Sequence, residues 1–228
     1  MKITFLGHAG FWLAGNQTRV AIDPFLTGNP VAKHQPGEIQ AEYILVSHGH
    51  GDHLGDSVAI ARQSNGTIVS VFEIANYCAT QGATVHPMHI GGSYNFGPVR
   101  IKLTPALHGS SSGEYPAIYL GNPCGFIVEM DGLTLYHSGD TGLFGDMALI
   151  GRRHVLDVAF IPIGDNFTMG PDDALEAVKM LTPRYVIPMH YNTWPLIAQD
   201  ATSFKQRVEA ETGAEVIILN PGESWKIQ

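Results

Sequence analysis

The run Ser47–His53 constrains this chain more than any other feature of the sequence. It places three histidines and one aspartate within seven consecutive residues, directly after the apolar segment Tyr43–Val46. The unbroken apolar segment predicts a buried strand. A polar surface turn is the alternative interpretation of the run, but a solvated loop has no reason to concentrate imidazoles around one carboxylate. The run therefore predicts a metal-binding turn at the end of a strand.

Two sets of ligands can leave this turn in different directions. In extended backbone alternate side chains point to the same side, so His48 and His50 project together. Asp52 and His53 can turn away from them at the start of a following helix. Imidazole and carboxylate are both common metal ligands, so one turn can supply two separate metal ions.

Three further polar residues each follow an apolar run. His108 follows 103–107, Asp140 follows 135–139 and His190 follows 186–189. Strand ends cluster along one edge of a sheet pair, so we expect these three side chains to converge with the histidine-rich turn.

The rest of the chain alternates short strands and helices. Strands are expected at 3–6, 11–14, 19–22, 43–46, 67–71, 99–103, 125–130, 133–136, 158–163, 185–187, 215–219 and 221–227. Helices are expected at 56–63, 73–80, 171–181 and 201–212, and a surface loop at 28–40. Because no linker or repeat interrupts this order, residues 1–228 predict one α/β domain. Two mixed halves of similar size favour a four-layer αββα sandwich over a doubly wound parallel sheet.

The sequence resembles the metallo-β-lactamase superfamily, whose HxHxDH motif matches residues 48–53. The later superfamily motifs match in order at His108, Asp140 and His190, and the resemblance spans essentially the whole chain. Asp23 matches an early aspartate that supports the histidine-rich loop. The runs 162–171 and 189–195 resemble those of small bacterial and archaeal metal-dependent hydrolases related to ascorbate-phosphate lactonases and N-acyl phosphatidylethanolamine phospholipases.

The resemblance implies a binuclear metal centre. One ion would be bound by His48, His50 and His108, and the other by Asp52, His53 and His190, with Asp140 bridging them. Imidazole-rich ligation favours Zn²⁺, although Mn²⁺ or Fe²⁺ also suit these carboxylates. No cysteine matches a ligand position, which separates the chain from lactamases that use a thiolate.

The implied reaction is hydrolysis of an ester, lactone or phosphodiester by a metal-bridged hydroxide. Asp52 and Asp140 would orient this nucleophile. Asp165 follows the apolar run 160–163, so it is a candidate for protonating the leaving group or for binding substrate. A turn or helix-capping role is an equally good interpretation of Asp165.

The remaining side chains of interest have less specific patterns. For His8 and His137 a hydrogen-bonded structural role is favoured over a place in the pocket, and His34, His86, His89 and His154 are expected in loops or at the surface. Trp194 and Tyr191 are interpreted as pocket wall or packing. The serines at 110–112 predict a flexible polar loop, and Cys78 predicts a core position.

Composition narrows the class of partner. Acidic residues number 21 against 13 basic ones, a net charge of -8, which disfavours nucleic acid as a ligand. Two cysteines are too few for a disulfide framework, and no apolar run is long enough to span a membrane. We therefore expect a cytoplasmic enzyme with a small-molecule substrate and no membrane insertion. The sequence is compatible with a homo-oligomer.

Two alternatives use the same fold. The first is an iron-dependent oxidoreductase, because the superfamily also includes diiron proteins. An intact histidine at His50 favours hydrolysis, since diiron members typically place an acid there. The second alternative is a metal-binding module without catalysis, which a complete two-metal ligand set disfavours.

Overall fold

The computed structural model describes residues 1–113 and 116–227, and two mixed seven-stranded sheets form its centre. The first sheet has the order β14-β1-β2-β3-β4-β5-β6. Its strands are β1 (Lys2–Gly7), β2 (Gly10–Ala14), β3 (Arg19–Ile22), β4 (Tyr43–Leu45), β5 (Thr67–Val71), β6 (Thr84–Met88) and β14 (Ser224–Lys226). Strands β3 to β6 run parallel, whereas β14, β1, β2 and β3 pair antiparallel.

The second sheet has the order β13-β12-β11-β10-β9-β8-β7. Its strands are β7 (Ser93–Asn95), β8 (Val99–Pro105), β9 (Cys124–Met130), β10 (Leu133–His137), β11 (Val158–Pro162), β12 (Tyr185–Met189) and β13 (Glu215–Val216). Strands β10 to β13 are parallel, and the hairpin-type pairs β7–β8, β8–β9 and β9–β10 are antiparallel.

Six α-helices lie in the described parts of the chain. They are α1 (Gly51–Leu54), α2 (Ser57–Ser64), α3 (Phe72–Thr80), α4 (Met147–Arg153), α5 (Pro171–Leu181) and α6 (Ala201–Glu211). Helices α2 and α3 contact strands β4 to β6 of the first sheet, while α6 contacts β13 and packs on α5 at the second sheet. In the described part of the chain, no helix is both long and apolar enough to cross a membrane.

Alternating side chains of the second sheet separate two hydrophobic cores. Val158 and Phe160 of β11 belong to the core shared with the first sheet, where Phe160 contacts Phe11 with ring centroids 4.2 Å apart. Ala159 and Ile161 point to the opposite face and pack in a second core with helices α4, α5 and α6. This is the two-residue period of a strand buried on both faces. The predicted αββα sandwich is confirmed.

Among the described residues two strands and one α-helix were not expected from the sequence, and neither was the 3-10 turn Pro195–Ile197. Pro87 interrupts the strand pattern of β6 in the sequence, but β6 is an edge strand, where a proline need not donate to a neighbour. The other strand is the short edge strand β7, and the helix is α4. The strand expected at 215–219 is shorter, and the loop expected at 28–40 contains only the 3-10 turn Pro36–Glu38.

Strand direction brings the candidate ligands to one edge. Strands β8, β10 and β12 run in the same direction within the second sheet, so their carboxyl ends share an edge. His108, Asp140 and His190 follow these three ends. The histidine-rich turn follows β4 of the facing sheet.

Candidate metal centre

The histidine-rich turn folds as its sequence predicts. His48 is fully buried after β4, and His50 has extended backbone immediately before α1. Asp52 and His53 lie within α1. The imidazole of His53 lies against that of His48, with ring centroids 4.1 Å apart, so both parts of the run contribute side chains to one centre.

The sequence-predicted ligands converge into three overlapping groups. Within each group, one potential ligand atom per residue lies within 4.8 Å of the others. The groups are His48, His50 and His108; His8, Asp52, His53 and His190; and His48, His53 and Asp140. All seven predicted ligands belong to at least one group. His8 is the one member that the sequence interpretation had not placed among the ligands.

Asp140 lies at the centre of this arrangement. Its Oδ2 is 2.9 Å from Nε2 of His190, 3.2 Å from Nε2 of His53 and 3.6 Å from Nε2 of His108. The carboxylate is almost completely buried. A single oxygen therefore contacts histidines from both predicted ion sites, which is the position that a bridging ligand requires.

Asp23 supports the turn from beneath, as the resemblance implies. It is fully buried, and its carboxylate accepts hydrogen bonds from the Ser47 backbone N–H at 2.8 Å and the Ser47 hydroxyl at 2.5 Å. Its Oδ2 is also 2.8 Å from Nδ1 of His53. This contact holds the imidazole with Nε2 directed at Asp140, because the two ring nitrogens lie on opposite sides.

His8 contacts the site through Asp52. Nε2 of His8 is 3.1 Å from Oδ2 of Asp52, and its Nδ1 is 2.8 Å from the Thr193 hydroxyl. The backbone carbonyl of His8 also accepts a 2.6 Å hydrogen bond from the His190 N–H. Both ring nitrogens are thus occupied, so His8 is suited to orienting Asp52. The expected structural role of His8 agrees with these contacts, but its closeness to the metal centre was not expected.

Burial lowers the pKa of some histidines in the centre, whereas nearby carboxylates raise the pKa of another. Desolvation by burial lowers the pKa of His48, His50 and His108 below its ordinary value. Burial also disfavours the charged form of His53, but the carboxylates of Asp140 and Asp23 outweigh it and raise that pKa well above 6.5. The first group therefore offers neutral imidazoles near pH 7, the protonation state that metal binding requires.

The Asp52 carboxyl is ionised near neutral pH for a related reason. Burial raises its pKa, but the hydrogen bond from His8 and the charge of His53 lower it by more, so the pKa lies below the ordinary range of an aspartate. Burial in turn lowers the pKa of His8 to about 4. The pair is therefore a neutral imidazole that donates to a carboxylate.

Several buried polar atoms of the candidate ligands have no hydrogen-bond partner in the described parts of the chain, which indicates whether these residues fit a metal ion. Oδ1 of Asp140 and Nδ1 of His190 are buried and have no hydrogen-bond partner among the described residues. Nε2 of His48 lies only 3.0 Å from Nδ1 of His50. Buried polar atoms are normally paired, and converging imidazole nitrogens and carboxylate oxygens are a donor set typical of zinc and related divalent ions. The residues fit a metal.

A cavity of about 450 Å³ opens onto the centre. Five site residues line it, namely His50, Asp52, His108, Asp140 and His190. Phe167, Trp194 and Leu196 form the remaining wall. Trp194 is thus part of the pocket, as one of its two interpretations held, whereas Tyr191 packs against the second core.

Asp165 is not brought to the cavity wall. It is exposed in the turn after β11 with φ of 60°, and its Oδ1 accepts a 2.8 Å hydrogen bond from the Asn166 N–H. These contacts match the turn interpretation. The catalytic interpretation of Asp165 stays a prediction.

The other residues of interest are structural. His137 is buried, with Nε2 3.0 Å from the Ala9 carbonyl, and Cys78 lies in the core. The serine loop was expected to be flexible and polar, but Ser110 and Ser112 are buried. The Ser110 hydroxyl accepts a 3.1 Å hydrogen bond from the Gly49 N–H and so braces the histidine-rich turn.

Comparison with known proteins agrees with this geometry. Residues 2–190 match the family described as the beta-lactamase superfamily domain. The chain is 66% identical over its full length to the UPF0173 metal-dependent hydrolase of Pelotomaculum thermopropionicum, and 64% identical to that of Desulforamulus reducens, with 100% of each relative covered. The chain belongs to the UPF0173 metal-dependent hydrolases. The superfamily predicted from the HxHxDH motif is thereby confirmed.

A solved structure extends the likeness of this UPF0173 protein to its fold. Igni18, described as a novel metallo hydrolase from the archaeon Ignicoccus hospitalis, superimposes with a TM-score of 0.90 at 36% identity. The match covers 100% of this chain and 99% of Igni18. YhfI of Bacillus subtilis, described as a metallo-beta-lactamase fold protein, superimposes with a TM-score of 0.73 at 14% identity over 99% of each chain. The sheet order and helical layers described above are therefore those of the metallo-β-lactamase fold.

Proposed function

We propose that this UPF0173 protein hydrolyses an ester, lactone or phosphodiester at a centre of two divalent metal ions. His48, His50 and His108 would hold one ion, and Asp52, His53 and His190 the other. The observation that supports two sites most strongly is the single Asp140 oxygen that approaches histidines of both groups. Zn²⁺ suits this imidazole-rich set best, with Mn²⁺ or Fe²⁺ as the alternatives.

Bound ions would supply an activated water near neutral pH and polarise the substrate oxygen under attack. The protein supplies position and proton transfer. Asp52 lines the cavity in its ionised form, so its carboxylate can accept the proton of the attacking water. His8 donates to that carboxylate and fixes its direction. Asp23 accepts a hydrogen bond from Nδ1 of His53 and so orients that imidazole.

A donor of a proton to the leaving oxygen completes the reaction. Asp52 can return the proton it has taken, since it lies at the cavity and no second carboxyl is required. Asp165 is the other candidate, although it is held in an exposed turn beside the cavity-lining Phe167 segment. Asp165→Asn separates the two: hydrolysis of substrates with poor leaving groups falls selectively only if Asp165 is the acid.

The test combines metal analysis with a substrate screen. Freshly purified protein should contain two divalent ions per chain and hydrolyse at least one ester, lactone or phosphodiester. Activity should disappear on chelation and return with Zn²⁺ or Mn²⁺. Oxygen consumption, measured on the same preparation, distinguishes the iron-dependent oxidoreductase, and metal-loaded protein that turns over no compound in any class would overturn the proposal.

A further inference from the structure

The cavity has an apolar side that the metal chemistry does not require. Phe167, Trp194 and Leu196 line it beside the His and Asp ligands. Phe167 is 52% exposed and Leu196 is 64% exposed. Large apolar side chains left in solvent at the mouth of a cavity are typical of a surface that a ligand covers.

These side chains are presented by anchored segments. The Phe167 turn is fixed by buried Met169, whose N–H donates to the Thr141 carbonyl at 3.0 Å. The Leu196 turn is fixed by fully buried Ile197, whose carbonyl accepts from Asn192 at 2.9 Å. Two separate loops therefore hold an apolar residue outward while a side chain one or two positions further along packs inward.

The charged residues that line the cavity also favour a neutral, apolar ligand. Among the described residues that line the cavity none is lysine or arginine, and two are carboxylates, Asp52 and Asp140. A phosphate or carboxylate on a part of the substrate remote from the metal ions would find no counter-charge there. A neutral apolar group would instead remove the exposed faces of Phe167 and Leu196 from water.

We propose that the substrate is an uncharged carboxylic ester or lactone with an apolar chain or ring, which lies against the wall formed by Phe167, Trp194 and Leu196. This inference rests on the proposed hydrolytic function, because it assigns a substrate class to the same centre. A cavity of about 450 Å³ falls within the size range that encloses drug-sized ligands. The wall determines specificity and does not take part in bond breaking.

Three p-nitrophenyl esters with one leaving group test the proposal. In metal-loaded protein, kcat/KM for the octanoate should exceed that for the acetate by at least about tenfold, the effect of burying roughly two methylene groups. The suberate monoester, which has an octanoate-length chain that ends in a carboxylate, should be disfavoured against the octanoate by a similar factor.

Variants at Phe167 and Leu196 distinguish an effect of the apolar wall from a general effect of substitution on activity. Phe167→Ala and Leu196→Ala should each lower the octanoate-to-acetate ratio by roughly fivefold to tenfold. Leu196→Lys should raise kcat/KM for the suberate monoester. Val155→Ala is the matched control, since Val155 is 91% exposed but lies outside this cavity, and it should leave all three values unchanged.

Binding of decan-2-one, a neutral ketone that is not hydrolysed, gives a second measurement by calorimetry. If no ester is hydrolysed but the ketone binds to the wild type more tightly than to Leu196→Ala, the proposed reaction fails while the apolar specificity stands. If esters are hydrolysed without preference for the octanoate, or only phosphodiesters are hydrolysed, the apolar specificity is wrong and the hydrolytic function stands. Absence of both hydrolysis and ketone binding overturns both.

Discussion

Asp140→Asn should damage the metal centre more than the loss of any single histidine. Asparagine keeps the shape of the buried side chain but removes its charge and offers one acceptor oxygen where the carboxylate has two. The substitution therefore tests the bridge itself, with little change in packing. We expect Asp140→Asn to retain at most one tightly bound ion per chain.

The size of the effect follows from the contacts of Asp140. Its Oδ2 lies 3.6 Å from His108 Nε2 in one predicted site, and 3.2 Å and 2.9 Å from His53 and His190 in the other. Loss of a group that only orients a ligand lowers metal affinity about 10–100-fold. Loss of a ligand to both ions should therefore cost at least about 100-fold for each, a sum of about 5.5 kcal/mol.

A matched variant makes the comparison quantitative. His108 belongs to one ligand group, which it forms with His48 and His50. His108→Ala should therefore lower the affinity for one ion by about 100-fold and leave the affinity for the second ion unchanged. Elemental analysis after dialysis against graded chelator gives the stoichiometry and affinity of each variant. Thermal unfolding of the metal-free proteins shows whether either substitution disturbs the fold.

The result that would refute this reasoning is specific. If folded Asp140→Asn holds two ions at chelator concentrations that the wild type also withstands, the carboxylate does not bridge. The ligand sets would then have to be redrawn around the His8, Asp52, His53 and His190 group.

Four other predictions follow from the same structure. Chelation should abolish hydrolysis and lower the unfolding temperature, because the converging ligands lose the cations that hold them; full turnover in protein shown to be metal-free would contradict this. Metal uptake at pH 7 should release about one proton from His53, because the raised pKa of His53 keeps its imidazole charged in the apoprotein. Calorimetry in two buffers should detect the released proton. Its absence would count against His53 as a metal ligand. His8→Ala should weaken binding of one ion about 10–100-fold, whereas His8→Gln should weaken it less, because the glutamine amide nitrogen can take the place of Nε2 and donate to Asp52; equal metal affinity in both variants would rule out orientation of Asp52 by His8. Phe204→Ala should cost about 3–5 kcal/mol of unfolding free energy in urea, since Phe204 is buried in the second core; a loss below about 1 kcal/mol would contradict that packing.

The sign of the His53 pH dependence follows from its raised pKa. The charged imidazole stabilises the apoprotein fully below its ordinary pKa of 6.5, and this contribution is lost as the pH rises through the folded-state pKa. Metal competes with that proton, so apparent metal affinity should increase over the same rise in pH.

Local pattern was sufficient for the identity of the candidate ligands. His48, His50, Asp52 and His53 follow one apolar run within seven residues, and Asp140 follows another. A short apolar run reports a buried strand because burial on both faces leaves no position for polar side chains. Polar residues at such strand ends are visible without coordinates, and so was the family motif.

The groups that support and shape the site could not be identified from the sequence, because they lie far from the ligands along the chain. His8 contacts Asp52 across 44 positions, and Ser110 contacts Gly49 across 61. Neither contact has a local pattern, because it depends on how the two sheets pack. Phe167 and Leu196 look like ordinary loop residues until the buried Met169 and Ile197 beside them fix which side faces the cavity.

The sequence by itself thus indicated the fold class and the candidate metal-ligating side chains, because both depend on residue type and on spacing within a few positions, and its motifs resembled those of the metallo-β-lactamase superfamily. Tertiary structure alone decided which oxygen approaches both histidine groups, which histidine orients Asp52, and which apolar side chains face the substrate cavity. Those features depend on distances between segments far apart in the chain, and only the packing of one sheet against the other sets such distances.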